Sequence, residues 1–183
     1  NARPCSGGWV FNGAKTWRTF GGKADLMLVI ARTNTQRELG HKGLSMFLVE
    51  KPRYEGHEFE LEQSAGGKLT GRAISTIGYR GMHSFDLFFD DFFVPAENLV
   101  GLESGLGKGF YYTMAGLAGS RIQTAARALG VMQAAFDSTI TYGSERKVFG
   151  KSLDQYQLTL AKFARMASYL AVCRQFTYGV IIN

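Results

Sequence analysis

The spacing of apolar residues changes at about residue 104, and a chain that switches period there must join two layers of different secondary structure. Before that point, short apolar runs alternate with turn residues. "LMLVIAR" (26–32) and "LSMFLVE" (44–50) are compact strand candidates, separated by a polar loop holding Gly40 and Gly43. "HEFELEQ" (57–63) alternates, and "SFDLFFDDFFVP" (84–95) is aromatic-rich and stops at Pro95. "WVFNGAKTW" sets Asn12-Gly13 between two aromatic segments, which predicts a hairpin turn there. Strands at this interval, with no helical pattern between them, predict an antiparallel β-barrel or sandwich.

After Gly109, Phe110, Met114, Leu117, Ala125, Leu129, Met132, Phe136 and Ile140 recur at helical steps, which predicts a helix of roughly 30 residues. A second helical segment runs from about Asp154 to the end, with apolar residues around most of its circumference. Such a helix belongs inside a bundle or a subunit interface. The fold class expected is α+β: an antiparallel β-barrel domain over 1–104, followed over 105–183 by the first two long helices of a helical bundle. The chain opens without Met and stops inside an uncapped helical pattern, so it reads as a piece of a longer protein.

Charge narrows the function classes. The net charge is +6, but the 21 Lys and Arg are scattered and no basic run exceeds two residues. That pattern describes a solvated surface with a few specific anion contacts and does not call for nucleic acid. No apolar run reaches the ~18 residues of a membrane span. Cys5 and Cys173 lie far apart, without metal or redox spacing, and read as reduced thiols of an intracellular protein.

Two stretches imitate phosphate loops. Gly150-Lys151-Ser152 ends like one, but the motif needs a glycine five places earlier, where Glu145 stands. "GLESGLGKGF" (101–110) carries Gly105, Gly107 and Gly109, but its spacing does not fit a dinucleotide fingerprint, and it reads as a flexible lead-in to the long helix. His41, His57 and His83 read as surface histidines, and no metal site or nucleophile elbow is apparent.

Two sets of residues stand out chemically. Arg121 falls within the Phe110–Met114–Leu117 stripe of the first helix, where a guanidinium is costly unless paired. It sits at the rim, is salt-bridged to a partner helix, or forms part of a ligand site, for which neighbouring Gly116 and Gly119 leave room. In "KTWRTFGG", Trp17 and Thr19 point to one face of a strand. They either receive an aromatic cofactor, ring against ring with a hydroxyl beside it, or Trp17 belongs to the barrel core.

Four stretches, in order, resemble the acyl-CoA dehydrogenase family: "FNGAKTWRTFGGKADLMLVIART" (11–33), "GLSMFLVEK" (43–51), "IGYRGMHSFDLFFDDFFVPAENLVG" (77–101) and "RIQTAARALGVMQAAFDSTITYGSERKVFGKSL" (121–153). The resemblance implies an FAD-dependent removal of two hydrogens across the Cα–Cβ bond of an acyl-CoA. It implies that Trp17 and Thr19 cover the flavin ring and hydrogen-bond near its reactive nitrogen. It implies that Arg146 pairs with the FAD pyrophosphate, that Phe149 packs near the flavin, and that Gln157 continues the contact, often on the FAD of a neighbouring subunit. Leu117, Ser120 and Arg121 match positions lining the acyl-CoA site. It further implies a homotetramer, an electron-transfer flavoprotein as electron acceptor, and a location in the bacterial cytoplasm or the mitochondrial matrix, with no nucleic-acid or membrane partner.

The departures from the family pattern are specific. Some members carry the catalytic glutamate directly before the helix arginine, but here that place is Ser120. No catalytic base is therefore expected within these residues. Arg18 and Phe20 replace Ile and Asn around Thr19, Val148 replaces Thr or Gln, and Met82-His83 interrupts the pattern after Arg80. "GGKLTGRAISTIGYRGMHSFDLFFDDFFVP" and "RIQTAARALG" resemble the (2S)-methylsuccinyl-CoA dehydrogenase subgroup more than the medium-chain enzymes, which implies a branched dicarboxylic acyl-CoA. A flavin oxidase or monooxygenase of the same fold, or a non-catalytic DNA-associated flavoprotein, are the alternatives.

Overall fold

The computed structural model describes residues 1–78 and 81–182, the last two by backbone alone; Arg80, noted above, lies outside the described residues. Residues Asn1–Met114 and Ala115–Asn183 form two compact units.

The first unit is built of antiparallel strands. β1 (Ala2–Cys5) turns at Ser6-Gly7 into β2 (Gly8–Thr19), with Gly7 supplying the positive φ of 77°. β3 (Leu26–Arg32) and β4 (Leu44–Glu50) pair along their whole length. β5 (Glu58–Glu62), β6 (Lys68–Ala73) and β7 (Ser84–Pro95) complete a five-stranded sheet in the order β1-β2-β7-β6-β5. Alternation along β7 buries Phe85, Leu87 and Phe89. These meet Phe11 from β2 and Met27, Val29, Phe47 and Val49 from the β3–β4 pair in one core. The antiparallel β unit anticipated from the spacing is present. β6 was not anticipated: "KLTGRA" has few apolar residues, and its Gly71 makes room for the Phe59 ring.

The Asn12-Gly13 hairpin is not formed. β2 runs straight through the pair, which lies opposite a bulge in β7: Phe11 pairs with Phe92 and Gly13 with Phe89, so Asn12 faces both Asp90 and Asp91. The Asn12 side chain replaces the missing ladder bonds. Its Nδ2 donates to Asp91 Oδ1 at 2.8 Å, and its Oδ1 accepts from Asp91 N at 3.0 Å. Asp91 has φ 43°, and the bulge resets the pleat so that Phe92 and Val94 again face inward. An Asn-Gly pair is a turn signal only when the flanking strands pair with each other, and here both halves pair with β7.

The glycine-rich lead-in packs tightly, contrary to the flexible reading. Gly105 and Gly109 are buried. A Cβ on Gly109 would lie 2.5 Å from the Ser45 carbonyl carbon, and one on Gly107 (φ 74°) 2.6 Å from Lys42 O. Ser45 is fully buried; its Oγ lies 2.7 Å from Thr33 Oγ1 and accepts from Gly107 N at 2.9 Å. Ser45→Ala takes the acceptor from the half-buried Gly107 N and one of two partners from the Thr33 hydroxyl, and is expected to cost the full-length protein about 1 kcal/mol in urea unfolding. An unchanged midpoint would mean that the loop is not held through this hydroxyl.

From this lead-in rises α1 (Gly109–Glu145), 37 residues and longer than anticipated. In the second unit, its later turns run antiparallel to α2 (Gln157–Ile182). Gly143 lies under the Phe163 ring, and Arg174 Nη2 donates to Gln133 Oε1 at 2.5 Å. Leu129 and Leu170 are buried, while Leu158, Val172, Phe176 and Val180 are exposed around α2. Between the helices, β8 (Lys147–Val148) and β9 (Lys151–Ser152) form a small hairpin, followed by a 3₁₀ turn at Leu153–Gln155.

Candidate functional site

The end of β2 is strained. Lys15 pairs with Leu87 and Arg18 with Phe85, so Thr16 and Trp17 share the position opposite Asp86 in a second bulge, this one in β2. Trp17 takes φ 57°, and Phe20, three residues on, takes φ 57° as well. Aromatic residues rarely adopt this conformation, and it costs on the order of 1–3 kcal/mol each. The bulge invalidates simple alternation as the reason for Trp17 and Thr19 to share a face, yet both face solvent with Arg18 half-buried between them. Trp17 is 64% exposed, which removes the barrel-core reading. Among the described residues, neither the indole N–H nor the Thr19 hydroxyl has a hydrogen-bond partner.

The same segment is held from its inner side. Arg18 Nη2 donates to Leu28 O at 2.8 Å, and its buried Nε has no partner. Burial pulls the Arg18 guanidinium below its ordinary pKa; burial, and then Arg18, do the same to Lys15. Lys51, which the sequence did not single out, is only 5% exposed. Its ammonium donates to Gly22 O at 2.5 Å and Pro52 O at 3.0 Å, and lies 4.8 Å and 5.2 Å from the Phe59 and Tyr54 ring centroids. Burial pushes its pKa down to about 8, against the opposing pull of Asp25.

In the second unit, the sequence-predicted residues fall into two groups. Leu117, Ser120 and Arg121 are exposed together on α1. A Cβ added to Gly116 or Gly119 would meet nothing within 4 Å, and Ser120 Oγ donates back to Gly116 O at 3.2 Å. No ion pair of Arg121 is present among the described residues, so the salt-bridged reading finds no support within the unit.

Arg146, Phe149 and Gln157 belong to the hairpin and the start of α2. Phe149-Gly150 is the two-residue turn between β8 and β9, with φ 50° and 79°. The Gly-Lys-Ser triplet is thus half a turn and a short strand. Phe149 stands 94% exposed at the tip in a conformation glycine would favour. The Arg146 backbone is fixed at both ends: its N donates to Tyr142 O and its O accepts from Leu153 N, each at 2.9 Å. Its exposed guanidinium has no partner among the described residues. Tyr156 Oη braces the hairpin by donating to Val148 O at 2.5 Å.

The three histidines make ring contacts, His41 with Phe110 and Tyr111, and His57 with His83. Among the described residues, no group of three His, Cys, Asp or Glu side chains could hold a metal ion, and no helix is long and apolar enough to cross a membrane. What the two units offer is an exposed indole and hydroxyl on one, and an unpaired cationic fork, an exposed ring and an open arginine-bearing helix face on the other. These are groups that bind a flat ring and anions.

Comparison with known proteins identifies the family. Residues 2–92 match the acyl-CoA dehydrogenase middle domain, and residues 107–182 match the acyl-CoA dehydrogenase C-terminal domain. The chain is 42% identical over 171 residues to (2S)-methylsuccinyl-CoA dehydrogenase of Cereibacter sphaeroides, covering 93% of this chain and 30% of that protein. It superposes on the crystal structure of acyl-CoA dehydrogenase from Geobacillus kaustophilus with a TM-score of 0.82 and 31% identity, covering 98% of this chain and 43% of that one. The structure of PigA with FAD and proline gives a TM-score of 0.79 at 26% identity, covering 97% and 42%. The chain thus spans less than half the length of the relatives it matches. With both family domains present in order, on the fold of those structures, the chain belongs to the acyl-CoA dehydrogenase family.

Proposed function

We propose that this chain is the middle β domain (residues 1–104) and the first helices (residues 105–183) of an FAD-dependent enzyme that dehydrogenates the Cα–Cβ bond of an acyl-CoA. The observation that carries this reading is the solvent-facing Trp17–Thr19 pair, unpartnered on a strained bulge. A tryptophan held outward at a cost in backbone strain fits a flat ring system, and the Thr19 hydroxyl fits a hydrogen bond to a ring nitrogen. Arg146 suits a pyrophosphate, since its fork is unpaired while its backbone is fixed. Phe149 and Gln157 are exposed on the same hairpin and the start of α2, available to a cofactor held by a neighbouring copy in a homotetramer.

When bound, FAD supplies the hydride acceptor. This chain's residues bind and orient. Trp17 would pack on the ring, and Thr19 would hydrogen-bond to it. Leu117 and Ser120 would line the acyl-CoA, and Arg121 would offer its cation to an anionic group on it. The proton acceptor lies outside these residues, because Ser120 cannot serve. The similarity to a methylsuccinyl-CoA dehydrogenase supports a short, branched dicarboxylic acyl chain as substrate, and the family resemblance implies an electron-transfer flavoprotein as the electron acceptor.

The test is anaerobic mixing of the full-length, flavin-loaded protein with methylsuccinyl-CoA, isovaleryl-CoA and butyryl-CoA. The expected result is loss of the oxidised-flavin absorption band with formation of the 2-enoyl-CoA, fastest with methylsuccinyl-CoA. Reduction by none of them would overturn the dehydrogenase reading. Reoxidation by air faster than by electron-transfer flavoprotein would replace it with an oxidase.

A further inference from the structure

The strained segment Trp17–Gly22 does not hold itself. Trp17 and Phe20 both occupy the left-handed region, and such residues persist only where their surroundings over-determine them. Part of that constraint is backbone. Phe20 N donates to His83 O at 2.9 Å, Gly21 N to Arg18 O at 3.1 Å, and Ala24 N to Phe20 O at 2.8 Å. Gly21 and Gly22 lie flush on Phe85: an added Cβ would approach the Phe85 Cβ to 2.7 Å from Gly21 and its ring to 2.8 Å from Gly22.

The rest comes from two cationic side chains on its inner side, Arg18 of the segment itself and Lys51 just after β4. Arg18 ties it to the Leu28 carbonyl of β3, bridging the five-stranded sheet to the β3–β4 pair. Lys51 ties its far end through Gly22 O, the same carbonyl that accepts from Tyr54 N at 3.1 Å. Neither cation forms an ion pair among the described residues. Both are expensive places for a charge: Lys51 is almost fully buried, and Arg18 keeps a buried Nε without a partner.

We propose that Arg18 and Lys51 are positioning residues that clamp the Trp17–Gly22 segment from behind and so set the aim of the Trp17 ring and the Thr19 hydroxyl. The inference rests on the reading of Trp17 and Thr19 as the flavin platform. The charged and titratable groups around Lys51 are Asp25 on the β2–β3 connection with its partner Arg53, Lys23 with its partner Glu55, and Tyr54. When Lys51 loses its proton, near pH 8, its donor strength and its attraction to the Tyr54 and Phe59 rings fall together, and the clamp loosens.

The experiment uses the full-length holoenzyme and its flavin absorption and fluorescence, with no substrate present. R18M and K51M place apolar chains of similar reach in the same slots. Both are expected to change the flavin spectrum and to weaken FAD retention by ~10-fold, whatever the carbonyls left without a donor cost the unfolding midpoint of the apoprotein. R18K should restore part of the spectrum. As a measurement that needs no variant to fold, the flavin fluorescence of the unaltered enzyme is expected to titrate with a midpoint near 8, and that transition should vanish in K51M.

W17A and T19A are the controls. If they perturb the flavin while R18M and K51M leave spectrum, retention and titration unchanged, the clamp is wrong and the platform stands. If W17A and T19A leave the flavin unperturbed, the platform fails and the clamp falls with it. A lower midpoint with an unchanged flavin spectrum would make Arg18 and Lys51 merely structural and overturn the proposal.

Discussion

Phe47→Ala is expected to lower the unfolding free energy of the full-length protein by about 3–5 kcal/mol. Phe47 is completely buried. Its ring meets Phe11 edge-on at 4.9 Å and Trp9 at 5.5 Å, and its backbone forms a β-bridge to Leu99. It is the residue through which the β3–β4 pair, the outer end of β2 and the segment after β7 share one core. Truncation removes transfer energy and leaves a cavity that neighbours on paired strands are poorly placed to fill. Phe47→Leu, which keeps most of the volume, should cost markedly less. Denaturant unfolding decides the matter, and a loss below about 1.5 kcal/mol for the alanine variant would mean that the core can collapse around the site.

Arg146→Ala is expected to reduce FAD retention of the full-length protein by about 10²-fold, with the apoprotein's unfolding midpoint unchanged. The two halves of that expectation come from one geometry. The Arg146 backbone bonds at both ends, so the residue is fixed whatever its side chain, and the guanidinium forms no hydrogen bond or ion pair among the described residues whose loss would weaken the fold. An unpaired fork on a rigid mount costs little ordering entropy when it meets a pyrophosphate. Arg146→Lys keeps the charge without the fork and should recover part of the affinity. Equilibrium dialysis of FAD against the three proteins is the measurement. Equal affinity in all three would remove Arg146 from the cofactor site.

How much of this was legible in the sequence depends on the range over which each feature is determined. β3, β4 and β7 were readable to the residue, because compact or alternating apolar runs ending at turn residues are local signals. β6 was not, because its place depends on Gly71 accepting a ring from β5, a contact between strands. Asn12-Gly13 misled for the same reason: whether the pair turns depends on what pairs with it, and that is β7, nearly eighty residues later in the chain.

The site divides in the same way. Trp17 and Thr19 drew notice as a pair, but nothing local distinguishes an outward tryptophan from a core one; the bulge opposite Asp86 decides it. Arg121 was visible as a charge on an apolar stripe. Arg146 and Phe149 were visible only through family resemblance, because their exposure follows from a two-residue turn disguised as part of a phosphate motif. Lys51 gave no signal at all, since a lysine ending a strand before a proline looks solvated until the Tyr54 and Phe59 rings close over it.

The latch between Asn12 and Asp91 also bears on how the protein ages. An asparagine followed by glycine is the sequence most prone to lose ammonia, because the next backbone nitrogen can attack the side-chain carbonyl. Here the carboxamide is held on both its atoms by Asp91, at 2.8 Å and 3.0 Å, and is not free to swing toward that nitrogen. The reaction therefore waits for a local opening of β2 from β7. Once it has occurred, an aspartate at position 12 faces the Asp91 carboxylate and no longer carries the donor, so like charges oppose reclosure. The same pair that keeps the damage rare in the closed molecule resists closing again once it has occurred, so openings of β2 from β7 are recorded cumulatively over the protein's lifetime.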